Sequence, residues 1–494
     1  MSLPAFISIG AHVTMWAQEK PDDVALIVVA RDRSERSLTW RELDEASNRY
    51  ARLLQSKGVD ADSTVGIGLP NSIEHVVTLI ATWKLGACVL PLDARMPAPE
   101  RDALLDLAKP AAVVAAWTDV PGVVDVADAA SFPADALPDV TPHPGRAIAS
   151  GGSTGRPKII VDPMPLAVPK GAYAFGLADL GVTHGQRHLV GSPLFHNFGN
   201  GQVMVGVYEA HTLIVMERFD AELALDIVEQ HRVQYMTTVP TMMQRMLRVP
   251  DVAQRDLSSV EGLLHTAAVC PPWVKRGWID LIGATKVHEV FGSTEAVGAC
   301  LIHGDEWLER PGSVGRPMRS QVRVLDDDGN DLPPGEVGEI FMRQEGLLPT
   351  SDGSGPSFQY LGGASIKGTD DGFSSVGDLG WLDDEGFLFL ADRRVDIVIT
   401  GGSNVYPAEV EAALSEHPGV VDVGVVGVPD DDLGKRVHAI VQPADPAPTA
   451  EELRAHCTAR LTQYKVPRSF EFVEKLPRND AGKLRRSALV AERS

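Results

Sequence analysis

The chain has 494 residues, 44% apolar and 23% charged, a composition that excludes an intrinsically disordered chain, and four cysteines are too few for a disulfide scaffold. With 45 Lys+Arg against 67 Asp+Glu the formal charge is −22, which argues against a protein that coats nucleic acid or anionic membrane but leaves room for a local basic pocket around a phosphate-bearing ligand. No apolar run is long enough to span a bilayer, no signal-peptide pattern opens the chain, and Cys88, Cys270, Cys300 and Cys457 show no CxxC spacing, so a cytoplasmic protein without a cysteine zinc site is expected.

At roughly 150 residues per domain the length suggests two to four domains, or one large domain plus a small one. Leu43, Ala46, Tyr50, Leu53 and Leu54 recur at helical spacing until Gly58. Val65, Ile67 and Leu69 alternate as a strand, a helix is expected from Ser72 to Lys84, and strands at Ala87 to Leu92 and Ala111 to Ala116. Strand–helix–strand order of this kind implies parallel sheet covered by helices. Thr118 to Arg146, with five prolines, reads as irregular. Asp220 can cap a helix running to His231, with strands expected at Val233 to Thr238, Leu263 to Ala268 and Lys286 to Phe291. From Arg316 to Arg343 the pattern changes to hairpins, and Gln344 to Gly372 reads as loop. A boundary falls at 393/394. The remaining residues form a small α+β unit: a helix from Pro407, strands at Val420 to Val428 and Val437 to Val441, a capping box at Thr449–Glu452, and a strand at Ser469 to Val473. The expected fold is therefore α/β, with a large domain of parallel or mixed sheets plus a hairpin-rich segment (1–393) and a small C-terminal α+β domain (394–494).

Four segments carry chemistry. Ser150-Gly151-Gly152-Ser153-Thr154-Gly155-Arg156-Pro157-Lys158 combines three glycines, two hydroxyls and a lysine, the materials of an anion-binding loop; a flexible surface loop is the bland alternative. Its spacing is not that of a GxxxxGK[ST] loop, which disfavours a P-loop kinase or GTPase. Phe291-Gly292-Ser293-Thr294-Glu295 follows an expected strand, where a hydroxyl and a carboxylate suit a phosphate oxygen and Mg2+, or form a turn and helix cap. Asp378, in Gly377-Asp378-Leu379-Gly380-Trp381, can accept both hydroxyls of a ribose with Arg393 nearby, or sit on a solvated hairpin. Pro477 to Arg486 places Lys483 directly after Gly482 in a turn that can present one ammonium at its tip.

In this order and at these separations the four segments resemble the adenylate-forming superfamily of acyl-CoA synthetases, adenylation domains and luciferases, over nearly the whole chain from Leu38 to Arg486. The stretch Gly401-Gly402-Ser403-Asn404-Val405-Tyr406-Pro407 resembles the version found in acyl-CoA synthetases, and Gly401 and Gly402 would lie on the CoA side. The resemblance implies that Ser150, Gly151, Gly152, Ser153, Thr154, Gly155 and Lys158 hold the ATP phosphates. Thr294 would bind a phosphate oxygen and Glu295 Mg2+; Ala267, Ala268, Phe291, Gly292 and Ser293 would flank the nucleotide; Asp378 and Arg393 would take the ribose side. Lys483 would be a mobile catalytic lysine, carried in and out by rotation of the small domain. His196 would face the acyl pocket with Phe195, Phe198, Val239 and Val297; Met242 and Met243 are better read as core. The implied cofactors are ATP, Mg2+ and CoA, the substrate a hydrophobic aliphatic, aromatic or polycyclic carboxylic acid, and the rival acceptor a carrier protein's phosphopantetheine. A homodimer is compatible with this reading; nucleic acid and a transmembrane segment are not expected.

Three departures stand out. The phosphate loop opens Ser150-Gly151-Gly152 where Thr-Ser-Gly is usual, Phe291 replaces the commoner tyrosine, and Val395 stands where an Asp or Lys commonly marks the hinge.

Overall fold

The computed structural model describes residues 6–151, 157–169, 177–345, 358–362, 366–393, 396–400, 403–430, 433–479 and 482–493. Two sheets dominate the N-terminal part. One has six strands: a parallel run of Ala112–Ala115, Thr64–Gly68, Cys88–Pro91 and Arg146–Gly151, extended by antiparallel Pro157–Asp162 and Gln359–Leu361. The other counts fifteen strands among the described residues. Its parallel core runs Val24–Val29, Thr212–Met216, Arg187–Val190, Tyr235–Thr238, Gly262–His265 and Val287–Gly292, and continues into antiparallel strands from Ala299–His303 onward.

Helices Ile9–Glu19, Trp40–Ser56 and Ile73–Lys84 fill the space between the two sheets. One apolar cluster joins Val65, Ile67 and Val89 of the first sheet, Leu26, Val190 and Val215 of the second, and Trp16, Trp40, Leu43, Val76 and Leu79 of the helices. The helix Trp40–Ser56 forms where the apolar spacing predicts it. Thr39 and Glu42 close a reciprocal capping box at its start, and Gly58, at φ +90°, follows its end. Helices Ala221–His231 and Pro272–Ile282 cover the opposite face of the parallel strands with a second core that includes Leu225, Ile227, Met236, Met243 and Trp278. Residues from Val398 to Val466 have a core of their own around the strands Val420–Asp430 and Gly434–Pro443 and the helices Pro407–Ser415 and Ala450–Thr458. All four cysteines are buried thiols. Among the described residues no helix is long and apolar enough to cross a membrane.

The structure departs from the expected elements in three places. The strand expected to reach Ala268 stops at His265, because Ala267 takes φ +77°, which no strand tolerates. The stretch from Gln344 to Gly372 is not all loop: Gln359–Leu361 pairs with Ile159–Val161, and a two-residue strand forms at Lys367–Gly368. Three residues are too few to show a periodicity, and the pairing edge lies some 200 residues away in sequence. The irregular segment from Thr118 to Arg146 contains one short helical turn, Val126–Ser131, capped by Asp125.

Candidate active site

Four adjacent parallel strands end side by side, and the segments that follow them carry most of the expected site residues. In register, Val190 lies opposite Thr237, Thr238 opposite His265, and His265 opposite Glu289. The chain therefore brings His196, Val239, Ala267 and Thr294 to one edge, outside the carboxyl ends of the strands, where open α/β sheets bind ligands. The loops there are tied together and locally strained. Thr266 Oγ1 donates to the Val290 carbonyl at 2.6 Å. Ala267 and Ala296 hold φ of +77° and +50°, conformations that cost a non-glycine residue roughly 1 kcal/mol or more.

Glu295 is the charged centre of this edge. It is 8% exposed, and its Oε1 accepts hydrogen bonds from the Tyr360 hydroxyl at 2.8 Å and the Lys158 ammonium at 3.2 Å. Lys158 also donates to the Tyr360 oxygen at 3.2 Å and lies 4.4 Å from the ring centroid. Burial alone would raise the Glu295 pKa, but the Tyr360 hydroxyl and the Lys158 charge outweigh it and hold the carboxyl below its ordinary value. A carboxylate kept ionised in a half-closed cleft is a fitting ligand for Mg2+, which prefers one or two carboxylates plus substrate phosphate oxygens. The hydroxyl of Ser293, two residues earlier in the chain, is buried with no partner among the described residues, an orphan donor.

Sequence patterning did not single out Tyr360. It reaches the site because Gln359–Leu361 pairs with the strand that begins at the glycine-rich hairpin and sets Tyr360 opposite Ile160. That hairpin joins Arg146–Gly151 to Pro157–Asp162, with Ser150 opposite Lys158. Gly152, Ser153, Thr154 and Gly155 lie outside the described residues, as do Val395, Gly401 and Gly402. Asp378 opens the strand Asp378–Leu382 directly opposite Arg393, whose side chain is likewise outside the description.

His196 is the N-cap residue of the helix Asn197–Tyr208; its ring lies 4.3 Å from that of Phe195, and its Nε2 is buried without a partner among the described residues. Burial pushes its pKa down to about 4; the Lys483 charge pushes the same way, and Asp93 offsets only part. The imidazole is thus neutral at physiological pH, and Lys483 lies near enough to act on it. Phe198 joins an apolar cluster with Tyr235, Leu264 and Leu301. Val239 caps the helix Pro240–Leu247 and is buried; Val297 packs with Cys300 and Phe358, next to Phe291; Met243 is in the second core, with Met236 and Trp278.

Lys483 arrives from the C-terminal unit on a braced loop. Its backbone N–H donates to Asn479 Oδ1 at 2.8 Å, and its carbonyl accepts from the Asn479 N–H at 2.9 Å. Arg478 grips Asp422 through two hydrogen bonds of 2.8 and 2.9 Å and donates to the Gly482 carbonyl at 2.8 Å. The basic run that contains the lysine is thus largely structural: Arg486 pairs in the same way with Glu411.

One helix face receives this unit. On Pro240–Leu247 and its C-cap, Thr241, Gln244 and Arg248 recur at i, i+3 and i+7. Gln244 donates to the Val421 carbonyl at 3.0 Å, and Arg248 donates to the carbonyls of Val420, at 2.6 Å, and Val421. Gly482 sits so close to Thr241 that a Cβ would meet the hydroxyl at 2.3 Å. The opposite face holds buried Met242, Met243 and Met246. The alternation of apolar and polar positions along this helix was the available signal for the docking face.

Comparisons with known proteins bear on this arrangement. The AMP-binding enzyme family profile matches residues 13–350, and that of the AMP-binding enzyme C-terminal domain matches residues 409–483. The chain is 30% identical to a 2-succinylbenzoate–CoA ligase of Bacillus licheniformis over 96% of its own length and 98% of the relative's. It is 34% identical to a feruloyl-CoA synthase of Amycolatopsis sp, over 91% and 92%. Among solved structures, the o-succinylbenzoate CoA synthetase of Bacillus subtilis in complex with its acyl-adenylate intermediate superposes with TM-score 0.82 at 27% identity, covering 98% of each chain. The same enzyme in complex with ATP and magnesium ion superposes with TM-score 0.80. The chain belongs to the AMP-binding enzyme family, the adenylate-forming superfamily, and stands close to its acyl-CoA synthetases.

Proposed function

We propose that the protein joins a hydrophobic carboxylic acid to CoA in two steps at the cleft between Glu295 and Lys483. The observation that carries the reading is the delivery of Lys483 to His196 by a loop seated on Thr241, opposite a carboxylate held ionised by Tyr360 and Lys158. A 2-succinylbenzoate–CoA ligase and a feruloyl-CoA synthase among the relatives support an acid that carries an aromatic ring.

In the first step the acid's carboxylate oxygen attacks the α-phosphorus of ATP, the bond to the bridging oxygen breaks, and pyrophosphate leaves with the electron pair. Negative charge grows on the α-phosphate oxygens, where Lys483 would stand, and on the departing pyrophosphate, where Lys158 and the glycine-rich hairpin would stand. Mg2+, held by Glu295 and the phosphates, would supply further neutralisation there. Thr294 and Ser293 would donate to phosphate oxygens, Ala267 and Ala268 would flank the base, and Asp378 would accept from the ribose. Neutral His196 adds no charge next to the acid. In the second step the CoA sulfur attacks the acyl carbon and AMP leaves. Lys483 is not needed there, and we place a hinge at 393/394 that rotates it away and brings Gly401 and Gly402 toward the thiol. Four buried thiols fit a reducing compartment, which favours the cytoplasm.

ATP–pyrophosphate exchange over aliphatic acids, benzoates, cinnamates and polycyclic acids tests the reading, followed by a choice of acceptor between free CoA and a phosphopantetheine-bearing carrier protein. Acid-dependent exchange and a CoA thioester are expected. Exchange with no acid at all would overturn the function, and thioester on the carrier alone would overturn the acceptor.

Two further outcomes follow from the geometry. Gly482→Ala forces a Cβ onto Thr241 at φ +75°, so docking for adenylation weakens. Adenylation should fall by roughly tenfold, since the clash is met only when the loop is seated on Thr241 and about 1.4 kcal/mol of lost docking is tenfold in rate. Thioester formation from supplied acyl-adenylate should be unchanged, and Thr241→Ala should restore part of the loss; equal loss in both half-reactions contradicts the docking role. Tyr360→Phe removes the main donor that lowers the Glu295 pKa. That pKa rises, so the carboxylate is protonated at higher pH. The acid limb of the pH–rate profile should move up by roughly one pH unit, and a limb that stays in place contradicts the assignment.

A further inference from the structure

The helix Asn197–Tyr208 leads away from His196, and its side chains divide by helical spacing. Val203 and Val207 face the main core with Leu194 and Val190. Phe198 and Val205, seven apart, face an apolar cluster with Tyr235, Leu264, Val290 and Leu301, drawn from the strands that end at the site. Gly201 and Gln202, three and four residues after Phe198, border that second face.

Neither residue is placed there by what the helix alone requires. Gly201 has no atom within 4 Å of the position a Cβ would take. No close approach requires a glycine, and mid-helix it is less stable than alanine, so what it contributes is open space. Gln202 is 7% exposed, yet its amide has no hydrogen-bond partner among the described residues. Its neighbour Asn197 is engaged, accepting from Arg146 at 3.0 Å. Asn200 is also unpaired, but it lies on the core side with Val203 and Val207 and is sealed from any incoming group; the Gln202 amide is not sealed. An amide offers two donors and an acceptor oxygen, and the Gln202 amide, open on one side while the rest of the side chain is buried, can exchange water for an incoming oxygen group.

We propose that Gln202 determines specificity within the acid pocket: its carboxamide hydrogen-bonds a hydroxyl or other oxygen substituent on an acid whose ring lies along Phe198 and Val205 in the space left by Gly201. The proposal rests on the acid-ligase reading and narrows it to oxygen-substituted ring acids. The amide N–H donates to the substituent oxygen, and Oε1 accepts from a hydroxyl.

The test is ATP–pyrophosphate exchange with matched acids that differ by one hydroxyl: cinnamate against its 3- and 4-hydroxy derivatives, and benzoate against 4-hydroxybenzoate. The wild type should favour the hydroxylated member of at least one pair by about tenfold in kcat/KM, as one hydrogen bond in an apolar pocket allows. Gln202→Leu, of similar volume, should abolish the preference, mainly through the KM for the hydroxylated acid, with the KM for ATP unchanged. Gln202→Met repeats the measurement should the leucine variant not fold. Equal use of both members of every pair, or a preference that survives either substitution, overturns the role of Gln202 and leaves the ligase reading standing. Exchange with none of these acids and none of the wider acid panel overturns the ligase reading and this assignment with it.

Discussion

Lys483→Ala is expected to slow acyl-adenylate formation by roughly 10²–10³-fold, the loss typical of removing one preorganised group aimed at developing charge, while thioester formation from supplied acyl-adenylate is largely spared. The side chain is exposed, so its loss removes no core packing. The loop that carries it is braced by backbone bonds to Asn479 and by the Arg478–Asp422 pair, neither of which involves the ammonium. The fold and the docking on Thr241 should survive. Pyrophosphate exchange reads the first half-reaction, and CoA thioester release from synthetic acyl-adenylate reads the second. Because Lys483 lowers the His196 pKa, the variant should also show the imidazole titrating at higher pH, observable by NMR. Equal loss in both half-reactions would mean that the lysine serves the fold rather than the first chemical step.

Glu295→Gln should reduce adenylation by about 10²-fold or more and raise the Mg2+ concentration needed for half-maximal rate. The substitution preserves shape and removes one charge. In the wild type that charge is shared by Tyr360 and Lys158 at 2.8 and 3.2 Å. The glutamine oxygen can still accept from Tyr360 but no longer pairs with the ammonium, so Lys158 is left half-buried without its counter-charge. A Mg2+ titration separates the two effects. A lower rate at unchanged Mg2+ dependence would assign Glu295 to positioning Lys158 alone, and a lower rate with a displaced Mg2+ curve supports a metal ligand.

The helix Trp40–Ser56 shows what local pattern can convey: its apolar spacing, its capping pair Thr39 and Glu42 and its terminating Gly58 lie within 20 residues and agree. The same holds for Asp220 capping Ala221–His231 and for the box at Thr449. Tyr360 shows the limit. Its strand is three residues long and its partner lies some 200 residues earlier, so no window of sequence contains the signal. Arg478 and Arg486 are a second case. In sequence they are members of a basic tail beside Lys483, and only the folded C-terminal unit reveals that Asp422 and Glu411 consume them.

From the chain of letters alone came the class of fold, the family and the order of the chemical segments, because a strand–helix rhythm, a cap or a glycine-rich loop is built from neighbours and is read wherever it occurs. Tertiary structure alone decided that Tyr360 and Lys158 share Glu295, that Thr241, Gln244 and Arg248 receive the lysine-bearing unit, and that Gln202 has no partner among the described residues beside an apolar wall. These depend on strand register and on which helix face meets which unit, and both are set by the burial of distant apolar surfaces against one another.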